Sequence, residues 1–185
     1  MKVFLYLFTT VFLGQEVSVA QTPKKFTTKS GEINFVSNAQ LELIKATSNE
    51  VEGIIDPATN QFAFRVNIGS FKGFNSALQR DHFNEKYLES ERMPTASFTG
   101  KIIEQVDLST NGTYEVRAKG DLDIHGQKQT RIIRSKLNVQ DGVLKIESSF
   151  LVPLTDHNIS IPRLVSQKIA TEIEISINVT LTQPL

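Results

Sequence analysis

The chain has 185 residues, Lys+Arg and Asp+Glu balanced at 20 each, no cysteine and no tryptophan. A neutral chain offers no overall electrostatic case for nucleic acid or an anionic membrane surface. The missing cysteines exclude a disulfide framework, a lipidated cysteine anchor, a thiolate nucleophile and thiolate zinc ligands.

The chain opens MKVFLYLFTTVFLGQEVSVA, with Lys2 ahead of an apolar run from Val3 to Leu13 and a close on Ser18, Val19 and Ala20. This has the charged, apolar and small-residue regions of a secretory signal peptide, and the run is shorter than the ~20 apolar residues that span a bilayer. Residues 1–20 are therefore expected to direct export, periplasmic or secreted, and 21–185 to form one domain. That length supports its own core without covalent staples.

From Gly31 onward the pattern has period two. Phe62, Phe64, Val66 and Ile68 alternate with polar or small residues. So do Tyr114, Val116, Ala118, Gly120, Leu122 and Ile124, then Leu144, Ile146, Ser148, Phe150 and Val152, and finally Ile173, Ile175, Ile177, Val179 and Leu181. Weaker alternation near 31–37, 49–55, 95–103 and 130–139 brings the expectation to about eight strands. Turn chemistry at DPATN, STNGT, HGQ and QDG separates several of them. The expected fold is all-β, an eight-stranded antiparallel up-and-down barrel, because closure removes the free sheet edges. The one segment suited to a helix lies around 75–91, where Phe74, Leu78, Phe83, Tyr87 and Leu88 space an apolar stripe to lie on the barrel.

An eight-stranded barrel is either just filled by its side chains or holds one small ligand. The inward positions mix Phe64, Phe98 and Phe150 with Ala96, Gly100, Ala118, Gly120, Ser135 and Ser148. Large walls with small gaps suggest an apolar cavity; alternatively, the small residues receive the phenylalanines or relieve bending at a barrel corner. The cavity reading names Phe64, Val66, Ile68, Phe98, Val116, Ala118, Gly120, Leu137, Phe150, Ile173, Ile175 and Ile177 as walls.

Catalytic chemistry finds little support. Glu85 and Glu89, four apart, would share a helix face as an acid/base pair, but nothing nearby separates their acidities. His82, His125 and His157 have no metal-ligand spacing, and no nucleophile elbow or phosphate loop occurs. Neither an enzyme nor a metal site is expected. An outer-membrane barrel remains a rival, since alternation does not say which face is apolar, but the aromatic girdles it needs are missing.

The run QRDHFNEKYLESERMPTASFTGKI followed by KGDLDIHGQKQTR resembles the YceI-like family of exported lipocalin-like proteins. The matching positions are Arg80, Asp81, His82 and Phe83, then Met93 and Pro94 leading to Phe98, and Gly120 to Gly126 with His125 before the glycine. Asp81 and His82 are contiguous where many members have an intervening residue, and Met93 stands where an aromatic is usual. The resemblance covers essentially the whole chain after the leader. It implies an extended barrel, capped by the helical segment around 75–91, that holds a long apolar lipid ligand, an isoprenoid-type lipid or quinone, with no required cofactor. Because a bilayer shelters such a tail as well as the barrel does, transient membrane contact is also expected. It further implies that Arg80, Asp81, His82, Pro94, His125 and Gly126 are structural anchors and not catalysts. A true lipocalin is excluded, because its Gly-x-Trp signature needs a tryptophan.

Overall fold

The computed structural model describes residues 24–184, so the expected leader lies outside the described residues. Ten strand segments form one antiparallel sheet: β1 (Phe26–Thr28), β2 (Gly31–Asn38), β3 (Leu43–Ser48), β4 (Glu52–Asp56), β5 (Gln61–Asn67), β6 (Thr95–Ile102), β7 (Gly112–Ile124), β8 (Gln127–Gln140), β9 (Val143–Pro153) and β10 (Glu172–Thr182). β1 and β2 are halves of one barrel strand, and β3 and β4 are halves of the next. The two halves pair in a single register, Phe26 with Ile55 and Ile33 with Ser48. The barrel therefore has eight strands, as expected, and it closes where β10 runs beside both β1 and β2.

That closing ladder contains a one-residue bulge. Thr27 faces Thr182 and Gly31 faces Val179, so Thr28, Lys29 and Ser30 oppose only Thr180 and Leu181. Thr28 Oγ1 donates to the Ser30 carbonyl at 2.6 Å and accepts from its N–H at 3.2 Å, satisfying backbone groups that the ladder drops. Neither β1 nor β3 was legible from alternation alone.

Two-residue turns set the register of the longest hairpins. His125 and Gly126 both have positive φ, 53° and 68°, as do Asp141 and Gly142, 51° and 78°. This is the turn whose twist matches the flanking strands. A second ladder is incomplete. β8 and β9 pair only from Ser135 with Ser148 outward to Gln140 with Val143. Where they part, Arg131 Nη2 donates to the Leu151 carbonyl at 3.1 Å, and the turn after β9 (Leu154–His157) takes over: Gln129 Nε2 donates to the Asp156 carbonyl at 2.7 Å, and His157 Nδ1 to the Gln127 carbonyl at 3.0 Å.

The direction of the alternation is unambiguous. Glu115, Arg117, Lys119, Lys136, Lys145 and Glu147 face outward and are exposed, while Val116, Ala118, Leu137 and Ile146 between them are buried. A charged exterior does not suit a lipid-facing wall, which argues against the outer-membrane reading.

The two ends differ. At one end Phe26, Leu108, Leu144 and Leu181 are essentially inaccessible to solvent and form a dry plug. Leu108 comes from the 103–111 loop, held by Asp107, whose carboxylate accepts from Ser109 Oγ, Ser109 N–H and Thr110 Oγ1. On the wall, Glu104 accepts from the Arg117 N–H and Nε, each at 2.7 Å, which holds its carboxyl below the ordinary value. A lowered folded-state pKa stabilises the fold above the unfolded pKa, and that contribution disappears as pH falls through the folded value. Glu104→Gln should therefore flatten the acid limb of stability against pH, measured by denaturant midpoints from pH 7 down to pH ~3.

Gly100 and Gly120 face each other across β6 and β7. A Cβ on Gly120 would lie 2.2 Å from the Thr99 carbonyl oxygen, and one on Gly100 would lie 2.1 Å from that of Lys119. Gly120 is thus a point of close backbone approach. Gly120→Ala is expected to cost ~1–3 kcal/mol as an overpacked position, read as a lower denaturant midpoint with an unchanged slope.

Candidate functional site: an apolar cavity open at one end

Between the plug and the opposite end lies a cavity of about 500 Å³. This is within the ~300–1,000 Å³ usual for small-molecule sites. Its floor is Ile55, Leu137, Ile146 and Val179, and its walls rise through Val116, Ala118, Ile177, Ser148, Phe98, Ile175 and Phe150 to Ile173. From Val179 to Ile173 is six residues, ~20 Å of strand at ~3.4 Å each. The space is therefore deep and suited to a chain.

All the wall residues expected from the sequence line this cavity except Gly120, which contributes to the barrel corner. Both readings of the small inward residues hold, at different places. Gly100 and Gly120 let two backbones meet, whereas Ala96, Ala118, Ser135 and Ser148 stand where larger side chains would fill the lumen. Two of the serines in the lining are turned to the backbone. Ser148 Oγ donates to the Arg134 carbonyl at 2.7 Å, and Ser37 Oγ accepts from the Ala170 N–H at 2.9 Å. Their hydroxyls are occupied, so the interior behaves as apolar.

The cap is built on α1 (Ala77–His82), which continues as a π-turn to Tyr87. Ser76 caps it, its Oγ accepting from the Gln79 N–H. It is fixed by aromatic packing: Phe83 lies 5.3 Å from Phe35, 5.8 Å from Phe71 and 5.1 Å from Phe74, ring centre to ring centre. Such pairs contribute ~0.5–1.5 kcal/mol each beyond burial. Phe35 and Phe71 were not singled out in the sequence, because Phe35 lies on a weakly alternating strand and Phe71 follows the end of β5. Leu78 departs from the expected stripe. The helix is a turn and a half long and rolls its Phe83 side inward, leaving Leu78 62% exposed at the cavity mouth.

The family-motif residues have distinct places. Arg80 Nη2 donates to the Gly69 carbonyl at 3.1 Å, tying the cap to the turn after β5. Pro94 presents its carbonyl to the Ile68 N–H at 2.8 Å. Asp81 is exposed, and His82, at the mouth, has Nε2 3.1 Å from Lys86 Nζ. Gly126 sits in its turn, with Met93 Sδ 3.1 Å from where a Cβ would stand. The site taken by Met93 is thus the packing surface of that turn. His125 Nδ1 donates to the His157 carbonyl at 3.1 Å, and its Nε2 faces Glu89 Oε1 at 3.5 Å.

The acid/base geometry does not form. Glu89 lies beyond the helix at φ 44°, paired with Arg92 and His125, while Glu85 points to solvent. His125 and His157 are neighbours, but each gives its Nδ1 proton to a carbonyl. Among the described residues no three His, Cys, Asp or Glu side chains group as metal ligands. Burial raises the Tyr87 phenol pKa above its ordinary value.

A deep apolar pocket in a closed barrel under a helical cap is the arrangement that the motifs around Arg80 and His125 led us to expect. The model of the YceI-like domain matches residues 10–181. The chain belongs to the YceI-like domain family. Among solved structures, a polyisoprenoid binding domain from Saccharophagus degradans, implicated in plant cell wall breakdown, superimposes with a TM-score of 0.73 at 14% identity, covering 87% of this chain and 99% of that one. BcnA of Burkholderia cenocepacia gives a TM-score of 0.66 at 16% identity, covering 81% and 95%. The Campylobacter jejuni YCEI protein gives 0.58 at 13%, covering 98% and 100%. At these identities the likeness is one of fold. No curated protein sequence matches the chain.

The plug and the cavity should respond differently to mutation. Leu144→Ala, in the plug, is expected to cost ~2–5 kcal/mol, whereas Ser148→Ala, on the cavity wall, should cost ~0.5–1.5 kcal/mol for its lost hydrogen bond. Denaturant titration of the two variants checks the contrast.

Proposed function

We propose that this YceI-like protein binds a long apolar lipid, a polyisoprenoid or an isoprenoid quinone, within the barrel, and acts as an exported carrier or sequestering protein without a chemical step. The observation that carries this reading is the cavity: deep and largely apolar, its wall serines Ser37 and Ser148 bonded to backbone, with Glu42, Gln79 and His82 at the mouth. That polarity orders an amphiphile, tail inward and headgroup at the rim. The polyisoprenoid binding named for the Saccharophagus degradans domain supports the choice of tail. Export, to the periplasm or beyond, is supported by the leader pattern in residues 1–20.

The energetics suit exchange with a membrane. Each methylene removed from water is worth ~0.8 kcal/mol, so a few prenyl units give tight binding from solution. A bilayer shelters the same tail about equally, so transfer between the two is close to balanced. Length and shape of the cavity then decide which tail is preferred.

Ile177→Trp projects added bulk between Ser148 and Ile33, its ladder partners on β9 and β2. The variant should fold and lose about tenfold or more in affinity for a fluorescent prenyl analogue, ~1.4 kcal/mol or more. Ile132→Ser, on the exposed outer face, should bind as the parent does. Equal binding by Ile177→Trp and the parent would place the ligand elsewhere.

A further inference from the structure

We propose that the open end of the barrel docks on an anionic lipid bilayer, through a rim of leucines flanked by cations; this rests on the cavity reading above, because the rim surrounds the cavity mouth. Three separate elements contribute. Leu41 in the β2–β3 turn is 64% exposed, Leu78 on α1 is 62% exposed, and Leu164 in the 158–170 loop is 97% exposed. A single exposed leucine needs no explanation, but three around one opening form a patch with a direction.

These elements are fastened to one another, so the leucines are presented together. The Leu41 N–H donates to the Gln167 carbonyl at 2.8 Å, joining the turn to the loop. Gln79 Nε2 donates to Glu42 Oε1 at 3.0 Å, joining the helix to the turn. Other exposed apolar residues, such as Ile132 and Leu151, stand on the outward faces of β8 and β9 and belong to no loop or helix at the mouth.

Charge selects the bilayer type. Although the whole chain is neutral, residues 158–170 contain Arg163 and Lys168 and no carboxylate, and they bracket Leu164. On the facing turn the Glu42 carboxylate keeps its charge while it is held by Gln79 and by Asn75 Nδ2, and on the cap Arg80 and Lys86 balance Asp81 and Glu85, so the two cations of the loop leave the rim net positive. An apolar side chain at the tip of a cationic loop matches anionic headgroups above acyl chains. A flat protein partner would seal the mouth against polar headgroups, whereas a bilayer offers both a surface for the leucines and a source of the tail. Docked in this pose, the cavity opens toward the acyl region and a lipid tail crosses little water.

The test is flotation of the purified protein with vesicles of equal parts phosphatidylglycerol and phosphatidylcholine, against phosphatidylcholine alone, at low and high salt. The parent should bind the anionic vesicles, and less so at high salt. Leu41→Asp with Leu164→Asp should lower that binding about tenfold or more, and Arg163→Glu should remove the anionic preference. Neither leucine lines the cavity, so uptake of a prenyl probe in vesicle-free solution should be unchanged. Unaltered flotation of the double variant overturns the proposal. So does a parent that fails to float but forms a dimer by ultracentrifugation that the double variant loses, since the rim would then meet a second copy. Failure of the cavity reading is separately visible as a parent that takes up no probe in solution.

Discussion

The pairing of β10 with the first strand is the interaction on which the rest depends. It turns an open sheet into a tube and so gives every inward residue a common interior. Without that ladder, the apolar faces of β5 to β9 would be one side of an open sheet with two free edges. The ladder is continuous in direction but not in register, the bulge at Thr28 to Ser30 absorbing one residue. The bulge adds local twist beside the plug, where Phe26 and Leu181 meet the core from opposite ends of the chain.

Once closed, the barrel is filled unevenly. Leu108, Leu144 and Leu181 complete one end with side chains, while small residues on β7, β8 and β9 leave the middle hollow. The price of that hollow is stability that a packed core would have supplied. The aromatic cluster of Phe35, Phe71, Phe74 and Phe83 offsets part of it by fixing a cap over the mouth. The polar seam that joins β8 to β9 through Arg131, and to the turn after β9 through Gln129 and His157, secures the wall where the ladder ends.

Much of this was legible in the sequence, for physical reasons. Alternation in β7, β9 and β10 is clear because each strand separates a largely polar exterior from an apolar interior, and most residues that line the cavity follow from it. Gly120 was misassigned as a wall because a gap left by a missing side chain reads the same whether a ligand or a neighbouring backbone occupies it. Only the position of Thr99 distinguishes the two. Leu78 was placed on the barrel because periodicity gives the face of a helix, not how it rolls against its neighbours. The rim contributed by Ile159, Ile161, Val165 and Ile169 carried no usable signal, since Pro162 interrupts the alternation and the segment forms turns. Glu85 and Glu89 were assigned one face on the assumption of a continuous helix, which ends before Glu89 reaches that position.

The account stands most directly on what the cavity holds in protein taken from its own host. Native mass spectrometry of protein isolated from its host, followed by organic extraction, measures this. A single stoichiometric prenyl lipid or quinone, released on denaturation, is the predicted result. A mass matching the polypeptide alone, together with no uptake when polyisoprenoid and quinone are supplied, would contradict it.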